Sequence, residues 1–555
     1  MKDSQRFTFL VAGEAGHGVR RSGIVAADLF AEWGRYVFQM DDYQSLIRGG
    51  HNFSVVSSSP QPVLSQYLNA DLVIALDARS LEKHRQHLSE GGILVYNSDA
   101  VDETIPGAIG LPFSSLAKGY SQAALRLGVG AVSVLAARVG MARDALEEFI
   151  VREYERDSEG NAAYALSVYD MATAEMGGSV SLARGDAPAT LLTGNDAIAL
   201  GTYAGGLDMY FAYPMTPASS VLHYLAAHAG ELGITVVHPE SEIAVMNMAL
   251  GAASVGARTA VGSSGGGVAL MEEAMSLAGM SETPIMCILS SRPGPSTGVP
   301  TYTAQADLSF ALNQGHGEFA RIVASPATVE EAYRVAAELM ALSWAFQTPS
   351  ILLTEKHLSE SRMTVTLPDL PCQGPEPVLS TNSQDYSRYE DAPDGVSPLR
   401  FAPSDSIVKW TSYEHDEKGI TTEDPDVITL MQEKRHRKRD SLVEHLKSRS
   451  CVKRFGGSGP LIVTYGSTTM SVLEALAYGN LEARVVQPLF LEPFPEWEFA
   501  DLQGDDAIVV EQSCGGQFTE LLRRRTGINV VAAVLQYDGR PFDPEELAGR
   551  LKEVL

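Results

Sequence analysis

Short apolar runs alternate with stretches of helical periodicity along most of the chain. Residues 7–12 form such a run, and apolar positions spaced as on one helix face follow it. Comparable runs, typical of buried strands, lie at 53–56, 72–76, 92–96, 234–237, 259–262, 285–289, 350–353, 461–465 and 507–511. Strands that alternate with helices favour parallel sheets covered by helices on both faces, so the fold class predicted is α/β with several doubly wound domains.

Breaks in this alternation divide the chain into four segments. Residues 1–186 and 187–363 are both predicted to be α/β, and residues 456–555 return to the same pattern. Between them, residues 364–455 are rich in Pro, Asp and Ser and are too long for a plain loop. We expect an extended connector that packs on the other domains and ends in a helix. Its basic run, 433–439, is expected to be a solvated helix face.

Composition excludes several classes of protein. The 555 residues include 42 Lys and Arg against 69 Asp and Glu, a net charge of −27, whereas general nucleic-acid binders need a basic face. No apolar stretch is long enough to span a membrane, and the N-terminus lacks a signal-peptide pattern. The 4 scattered cysteines form no disulfide framework and no zinc or iron–sulfur spacing. We therefore expect a cytoplasmic protein that contacts neither nucleic acid nor membrane and holds no metal itself.

A glycine loop at 13–18 follows the first predicted strand. Glycines let backbone N–H groups approach an anion at a helix start, so Gly16 and Gly18 are candidate phosphate contacts. Arg21 stands where the dinucleotide fingerprint has glycine, so a tight turn is an equally good interpretation. Arg48, which precedes two glycines, is a second anion-friendly position.

Four loops in the second segment carry most of the candidate chemistry, and ligands in such sheets bind at the carboxyl ends of strands. They are Tyr213-Pro214-Met215-Thr216-Pro217, His238-Pro239-Glu240-Ser241-Glu242, Ser263-Ser264-Gly265-Gly266-Gly267 and Arg292-Pro293-Gly294-Pro295-Ser296-Thr297-Gly298. Glu242 begins a predicted helix with Ile243, Met246, Leu250 and Ala253 on one face. The helix dipole alone favours an acid there, so a purely structural role is open.

The ordered set of motifs resembles the α subunit of 2-oxoacid:ferredoxin oxidoreductases. The carriers are Tyr-Pro-x-Thr-Pro, Glu-x-Glu-Ile-Ala, Ser-Gly-x-Gly and Arg-x-Gly-Pro-Ser-Thr-Gly, followed by Gly315-His316-Gly317-Glu318 and similar motifs in the connector and tail. The first segment is similar to the γ domain of that family, fused ahead of α. Two positions depart from the family pattern: Gly266 replaces a proline, and Ser513 replaces a common asparagine.

The resemblance implies a site for thiamine diphosphate and a 2-oxoacid. Glu242 would be the carboxylate that bonds the pyrimidine ring of the cofactor, with Glu240 as the competing candidate. Tyr213, Pro214, Ser264 and Gly265 would surround the cofactor; Thr216, Arg292, Thr297 and Thr301 would bind the substrate. For Arg292 a salt bridge at a strand end is the structural alternative, and for the threonines it is turn chemistry.

The resemblance also implies a partner, because the chain lacks the Gly-Asp-Gly motif for Mg²⁺ and the cysteines for a cluster. A β subunit would supply Mg²⁺ and a 4Fe-4S cluster and would share the thiamine diphosphate. The implied assembly is a dimer of αβ pairs. Electrons would pass to ferredoxin and the acyl group to coenzyme A, whose diphosphate would suit Gly16, Gly18 and Arg48. The implied domains are a pyrimidine-binding domain at 187–363 and a transketolase C-terminal-like domain at 456–555.

Three alternatives stay open at this point. The first is another kind of thiamine enzyme, although such enzymes usually bind both ends of the cofactor with one chain. The chain is also compatible with a non-catalytic subunit that has kept the fold. Within the oxidoreductases, 2-oxoglutarate is the favoured substrate, with pyruvate or a broad range of 2-oxoacids as the alternative.

Overall fold

A computed structural model describes residues 5–44, 49–368, 374–381 and 385–555. The strands are β1 (Phe7–Glu14), β2 (Tyr36–Asp42), β3 (His51–Ser59), β4 (Ala70–Ala75), β5 (Leu88–Asn97), β6 (Ile109–Leu111), β7 (Leu191–Thr193), β8 (Met209–Phe211), β9 (Thr235–Val237), β10 (Thr259–Ser263), β11 (Ile285–Ser291), β12 (Ile322–Ala324), β13 (Pro349–Glu355), β14 (Arg362–Thr364), β15 (Val452–Phe455), β16 (Leu461–Val463), β17 (Arg484–Pro488), β18 (Phe490–Glu492), β19 (Asp506–Glu511) and β20 (Asn529–Leu535).

The α-helices lie between these strands and cover the sheets. They are α1 (Val19–Glu32), α2 (Ala78–His84), α3 (Phe113–Ala117), α4 (Ala123–Arg138), α5 (Arg143–Glu153), α6 (Ser158–Met176), α7 (Gly194–Ala204), α8 (Ser219–Leu232), α9 (Glu242–Ser254), α10 (Gly265–Ala269), α11 (Glu272–Met280), α12 (Leu308–Leu312), α13 (Val329–Phe346), α14 (Lys356–Glu360), α15 (Pro425–Lys447), α16 (Thr468–Gly479), α17 (Gln517–Arg525) and α18 (Pro544–Val554). Within the described residues, no helix is long and apolar enough to cross a membrane.

The first sheet has the strand order β6-β5-β4-β1-β3-β2-β14-β7. Strands β1, β4, β5 and β6 are parallel, whereas β3 runs antiparallel between β1 and β2. Strands β14 and β7, which come from the second segment, extend the edge beyond β2 in antiparallel pairing. The first two segments therefore share one sheet.

The second sheet has the order β18-β12-β13-β11-β10-β8-β9 and is parallel except for β18. Strands β10, β11 and β13 are buried along their whole length, as expected for parallel strands covered by helices on both faces. Strand β18 comes from the last segment and pairs with β12 through Val323 and Ala324. The third sheet, β15-β17-β16-β19-β20, is parallel apart from β15.

The connector forms the helix α15 near its end, as predicted, and β15 follows that helix. The expected solvated basic face is wrong. Lys434 and Lys438 are 0% and 3% exposed, and both donate hydrogen bonds to the buried carboxylate of Glu282. Arg435 is also buried and pairs with Glu414 at 2.7 Å. Buried acids draw these cations inward, so the basic run attaches the helix to the second segment.

A buried polar network joins the three sheets at their junction. The imidazole of His357, which follows β13, lies 2.8 Å from Oε1 of Gln66 and 3.3 Å from the hydroxyl of Ser467. Gln66 Nε2 donates to the backbone carbonyl of Phe542 at 2.9 Å. Glu355, at the end of β13, is 2% exposed, and burial raises the pKa of its carboxyl to about 7.

Candidate active site

The four candidate loops meet at one edge of the second sheet. Each follows one of four neighbouring parallel strands, β11, β10, β8 and β9, so their carboxyl ends lie side by side. Contacts between loops close the group into a single site. This edge is where ligands bind in doubly wound sheets.

Glu242 is the first residue of α9, and its carboxylate is buried, with 4% of the residue exposed. Ser241 caps the helix by accepting a hydrogen bond from the backbone N–H of Ala244 at 3.4 Å. Glu242 Oε1 has no hydrogen-bond partner within the part of the chain that is described. A buried acceptor left unpaired costs about 1–3 kcal/mol, so this oxygen is suited to a donor supplied by a ligand. Glu240, the competing candidate, is exposed.

The glycine loop after β10 packs tightly against Glu242. A Cβ atom on Gly267 would lie 2.0 Å from the hydroxyl of Ser263 and 2.8 Å from Oε1 of Glu242. Only glycine therefore allows this close approach without moving its neighbours. The hydroxyl of Ser264 donates to Sδ of Met215 at 2.6 Å and ties the glycine loop to the loop after β8.

The loop after β8 contributes an aromatic and a stiff turn. The ring of Tyr213 meets His238 edge-on at a centroid distance of 5.9 Å, which joins this loop to the one after β9. Pro214 follows Tyr213, and the Thr216–Pro217 peptide bond is cis. Tyr213 is 37% exposed, so one face of its ring is available to a ligand.

Arg292 follows β11, and its guanidinium is partly buried. Nη1 donates to the backbone carbonyl of Thr216 at 2.7 Å, which fixes the side chain towards the loop after β8. Burial lowers the pKa of Arg292, and the nearby Asp307 carboxylate opposes that effect. No ion pair to Arg292 occurs within the described residues, so the structural alternative of a strand-end salt bridge is not seen in this part of the chain. The guanidinium keeps donors for an anionic ligand.

The candidate threonines lie in different places. Thr216 is next to Arg292 through its own carbonyl oxygen. Thr297 is exposed in a loop between Ser296 and Gly298, which both have positive φ. Thr301 is buried and lines a narrow cleft together with Asp42 and Lys356. Within the described residues, no hydrogen bond joins Thr297 or Thr301 to Arg292.

Asp307 belongs to the site although the sequence did not single it out. It accepts a hydrogen bond from the hydroxyl of Ser291 at 2.7 Å, one residue before Arg292. A Cβ atom on Gly265 would lie 2.5 Å from Asp307 Oδ2, so the carboxylate also presses on the glycine loop. Burial raises the pKa of Asp307, against the hydrogen bond from Ser291 and the charge of Arg292. Asp307 follows a loop that contains three prolines, so no periodic pattern in the sequence marks it.

The glycine loop of the first segment forms a strand-to-helix turn. Gly16 and Gly18 have φ angles of 106° and 77°, which favour glycine. The backbone N–H of Ala15 donates to the carbonyl of Gly50 at 2.8 Å, so the two predicted anion-friendly loops are adjacent. Arg48, the third candidate there, lies outside the described residues.

A cavity of about 600 Å³ opens beside Gly18. Its wall carries four arginines that sequence reasoning missed, because they come from distant parts of the chain: Arg21, Arg126, Arg152 and Arg156. Residues at the N-terminal ends of α1, α4 and α6 also line it, and helix N-termini attract anions. Three of the arginines also pair with Glu153 or Asp157, so the wall is only modestly cationic.

An exposed apolar surface borders the site. It comprises Ile243, Met248 and Val255 on or just after α9, together with Leu270 after α10, and each is about half exposed. Ile243 was predicted on one face with Met246, Leu250 and Ala253; those three are buried, whereas Ile243 faces outward. Large apolar side chains left exposed on one helix and just beyond its neighbour are typical of a surface that a partner covers.

Two family models match the chain. One, described as pyruvate flavodoxin/ferredoxin oxidoreductase, thiamine diphosphate-binding, matches residues 200–434. The other, described as pyruvate ferredoxin/flavodoxin oxidoreductase, matches residues 8–171.

Curated and solved relatives cover nearly the whole chain. The chain is 31% identical to 2-oxoacid:ferredoxin oxidoreductase 2, subunit alpha, of Aeropyrum pernix, over 99% of this chain and 97% of that one. It is 29% identical to 2-oxoglutarate synthase subunit KorA of Archaeoglobus fulgidus, over 64% of this chain and 96% of that one. The structure of 2-oxoglutarate:ferredoxin oxidoreductase from Magnetococcus marinus, with 2-oxoglutarate, coenzyme A and succinyl-CoA bound, superposes with a TM-score of 0.90 at 29% identity, covering 99% of this chain and 100% of that one.

Proposed function

The chain belongs to the 2-oxoacid:ferredoxin oxidoreductase family as an α subunit, and from this premise we propose that its four loops hold the pyrimidine end of thiamine diphosphate and the carboxylate of a 2-oxoacid. The cofactor supplies the carbon nucleophile and the electron sink that decarboxylation needs. The protein supplies position and charge. The buried, unpartnered Oε1 of Glu242 is the observation that carries this proposal.

Glu242 acts as the acceptor for the pyrimidine ring. A carboxylate that must bond a ring nitrogen has to be dry and fixed, and Glu242 is both buried and held at a capped helix start. Ser264 and Gly265 form the floor beside it, and Tyr213 with Pro214 forms the adjacent wall. The glycines allow a planar ring to approach the backbone closely.

Arg292 binds the carboxylate of the substrate. Its guanidinium is oriented by Thr216 and has no competing ion pair among the described residues, so a bidentate pair with an incoming carboxylate is available. Thr216, whose backbone carbonyl holds Arg292, is the hydroxyl donor of this proposal. Thr297, exposed in the loop that follows Arg292, and Thr301, buried in the cleft with Asp42 and Lys356, are the further substrate contacts of this proposal.

A β subunit completes the site over the exposed apolar surface of α9. The chain has no Gly-Asp-Gly motif and no set of cluster cysteines, so Mg²⁺ and the 4Fe-4S cluster belong to that partner. We place the diphosphate end of the cofactor there too. Two such αβ pairs form the complete enzyme, which passes electrons to ferredoxin.

Coenzyme A takes the acyl group, and the first segment contributes to its binding. Gly16 and Gly18 offer backbone N–H groups, and Arg21 with Arg156 offers charge at the wall of the neighbouring cavity. Arg21→Ala in the αβ complex should raise the apparent KM for coenzyme A several-fold. Arg143→Ala, which removes an exposed arginine outside the cavity, should leave that KM unchanged.

The substrate proposed is 2-oxoglutarate. The Archaeoglobus relative is named as a 2-oxoglutarate synthase subunit, and the Magnetococcus structure holds 2-oxoglutarate. Pyruvate, or a broad range of 2-oxoacids, is the second candidate, because both family models are described by pyruvate.

The test is anaerobic, coenzyme-A-dependent reduction of methyl viologen by the chain coexpressed with its β subunit, across a panel of 2-oxoacids. We expect turnover of 2-oxoglutarate, none by the isolated chain, and a loss of at least about a hundredfold in Glu242→Gln. Glu240→Gln is the matched control, because Glu240 is an exposed acid two residues away. Loss of turnover in Glu240→Gln with retention in Glu242→Gln would reverse the assignment.

A further inference from the structure

Asp307 occupies the space between the loop assigned to the cofactor and the loop assigned to the substrate. On one side its Oδ2 lies only 2.5 Å from where a Cβ atom on Gly265 would be, so only glycine leaves room for it. On the other it accepts the hydroxyl hydrogen of Ser291 at 2.7 Å, directly before Arg292. It is thus the acid of the site that lies against both proposed ligand-binding loops.

The charges that face Asp307 come from several elements. Arg292, in the loop after β11, lowers the pKa of Asp307, whereas burial raises it. Tyr465, in the loop after β16, is buried, and its pKa is raised by burial and by the charges of Glu511, Glu355 and Asp307. In the described structure the compensating cation for Asp307 is therefore Arg292. Anything that neutralises Arg292 leaves a partly buried carboxylate without its counter-charge.

A 2-oxoacid brings such a neutralising group. Its carboxylate pairs with Arg292, adds a negative charge near Asp307 and displaces water from the site. All three changes disfavour the ionised form of Asp307. The binding of the substrate anion and the binding of a proton to Asp307 should consequently assist one another, and by linkage each strengthens the other equally.

We propose that Asp307 takes up a proton when the 2-oxoacid carboxylate binds Arg292, and that the acid so formed protonates the keto oxygen of the substrate when its keto carbon is attacked. As the new bond to that carbon forms, the C=O π pair moves onto oxygen. The oxygen takes the proton from Asp307, and the carboxylate is restored beside Arg292. No oxidant or reductant is involved in this step. The inference rests on the proposed function, because it takes Arg292 as the substrate-binding group.

The primary test is calorimetry on the αβ complex loaded with thiamine diphosphate. The probe is 2-hydroxyglutarate, which carries the carboxylates of 2-oxoglutarate but no keto carbon to attack. Titrations in two buffers of different ionisation enthalpy at neutral pH measure the protons taken up. We expect a substantial fraction of one proton per site in the wild type and essentially none in Asp307→Asn, which keeps the shape of the side chain and its hydrogen bond from Ser291.

The pH dependence of affinity provides a readout that a merely structural role would not change. The wild-type Kd for the probe should rise by up to about tenfold per pH unit above the pKa of Asp307 in the free enzyme. In Asp307→Asn the Kd should be nearly constant over the same range. Turnover in this variant should fall by about 10²–10⁴-fold, because the proton donor is lost while the binding groups stay.

Glu355→Gln is the matched control, because Glu355 is a second buried acid with a raised pKa at the neighbouring strand end. It should take up protons on probe binding as the wild type does. Uptake that survives in Asp307→Asn, or disappears in Glu355→Gln, overturns the proposal and leaves the proposed function standing. A loaded complex that neither binds the probe nor turns over 2-oxoacids overturns both.

A measurement on the unmodified complex covers the case in which Asp307→Asn does not fold. Infrared difference spectroscopy on probe binding should show a new protonated-carboxyl band that shifts in D₂O. The absence of that band in the wild type would contradict proton uptake by any carboxylate of the site.

Discussion

At the scale of single residues, the site depends on glycines, which have no Cβ atom, as much as on polar side chains. Gly265 and Gly267 allow Asp307 and Glu242 to lie against the loop after β10, whereas a Cβ atom on Gly266 would meet only the carbonyl of Ser296, 3.7 Å away. Gly266, which stands where the family has proline, therefore lies at a point where a side chain would have room. The departure noted in the sequence leaves the close contacts of the loop intact.

We expect Gly267→Ala to impair the site and Gly266→Ala to leave it intact. The added methyl group at position 267 overlaps the hydroxyl of Ser263 and displaces Glu242, and a shift of about 1 Å in such a group can cost a hundredfold in rate. Turnover at saturating thiamine diphosphate, and the cofactor concentration needed for half-activation, measure both effects. Equal losses in the two variants would contradict this account.

Glu355 predicts a pH dependence of stability. Burial raises its pKa from 4.5 to about 7, so between these values the folded state binds more protons than the unfolded state. The free energy of unfolding must therefore fall as the pH rises through that window, by an amount on the order of 3 kcal/mol. Glu355→Gln should remove this slope and unfold at a higher temperature than the wild type at pH 8. Thermal unfolding at pH 5 and pH 8 compares the two proteins.

At the scale of elements, the apolar runs located one set of strands and missed others, both short and long. The runs predicted at 7–12, 259–262 and 285–289 are confirmed as β1, β10 and β11. The three-residue strands β7, β14 and β18 were not predicted, and neither were the seven-residue β2 and β20, whereas the three-residue β9 and β16 were. The pairing of β7, β14 and β18 depends on partners far away in the chain, which a local pattern does not encode.

Helix α9 carries both the proposed acceptor and the proposed partner surface, so the two roles can be separated. Met248→Glu places a charge in the exposed apolar surface and should abolish copurification of the β subunit without unfolding the chain. Val151→Glu, at an exposed apolar position on α5, is the control and should leave the complex intact. Gel filtration of the coexpressed proteins shows whether each variant still forms the complex. An intact complex with Met248→Glu would mean that the interface lies elsewhere.

At the scale of the whole molecule, the family resemblance is confirmed and the fold class with it. The motifs located the four loops of the site correctly, because each loop directly follows a strand of the second sheet. Asp307 and the arginines around the first-segment cavity were beyond sequence reasoning, since their neighbours are brought together only by folding. The boundaries at 186, 363 and 455 stay predictions, and the sheets cross them.

The junction network predicts that the three sheets unfold together. Gln66→Ala removes partners of His357 and of the Phe542 carbonyl, which leaves buried polar groups unpaired at about 1–3 kcal/mol each. The unfolding temperature should fall, and calorimetry should still record one main transition. Gln61→Ala, outside the junction and exposed, is the control. A transition that splits in the wild type would mean that the sheets unfold independently.

The strand β18 sets an order of events during synthesis. Strand β12 is made long before residues 490–492, so its outer edge has no partner while the connector and the first part of the last segment are being made. At roughly 5–20 residues per second, that interval is on the order of ten seconds or more. The nascent sheet therefore presents an open edge to other chains for that time, and chaperones that shield such edges should bind it before the last segment emerges.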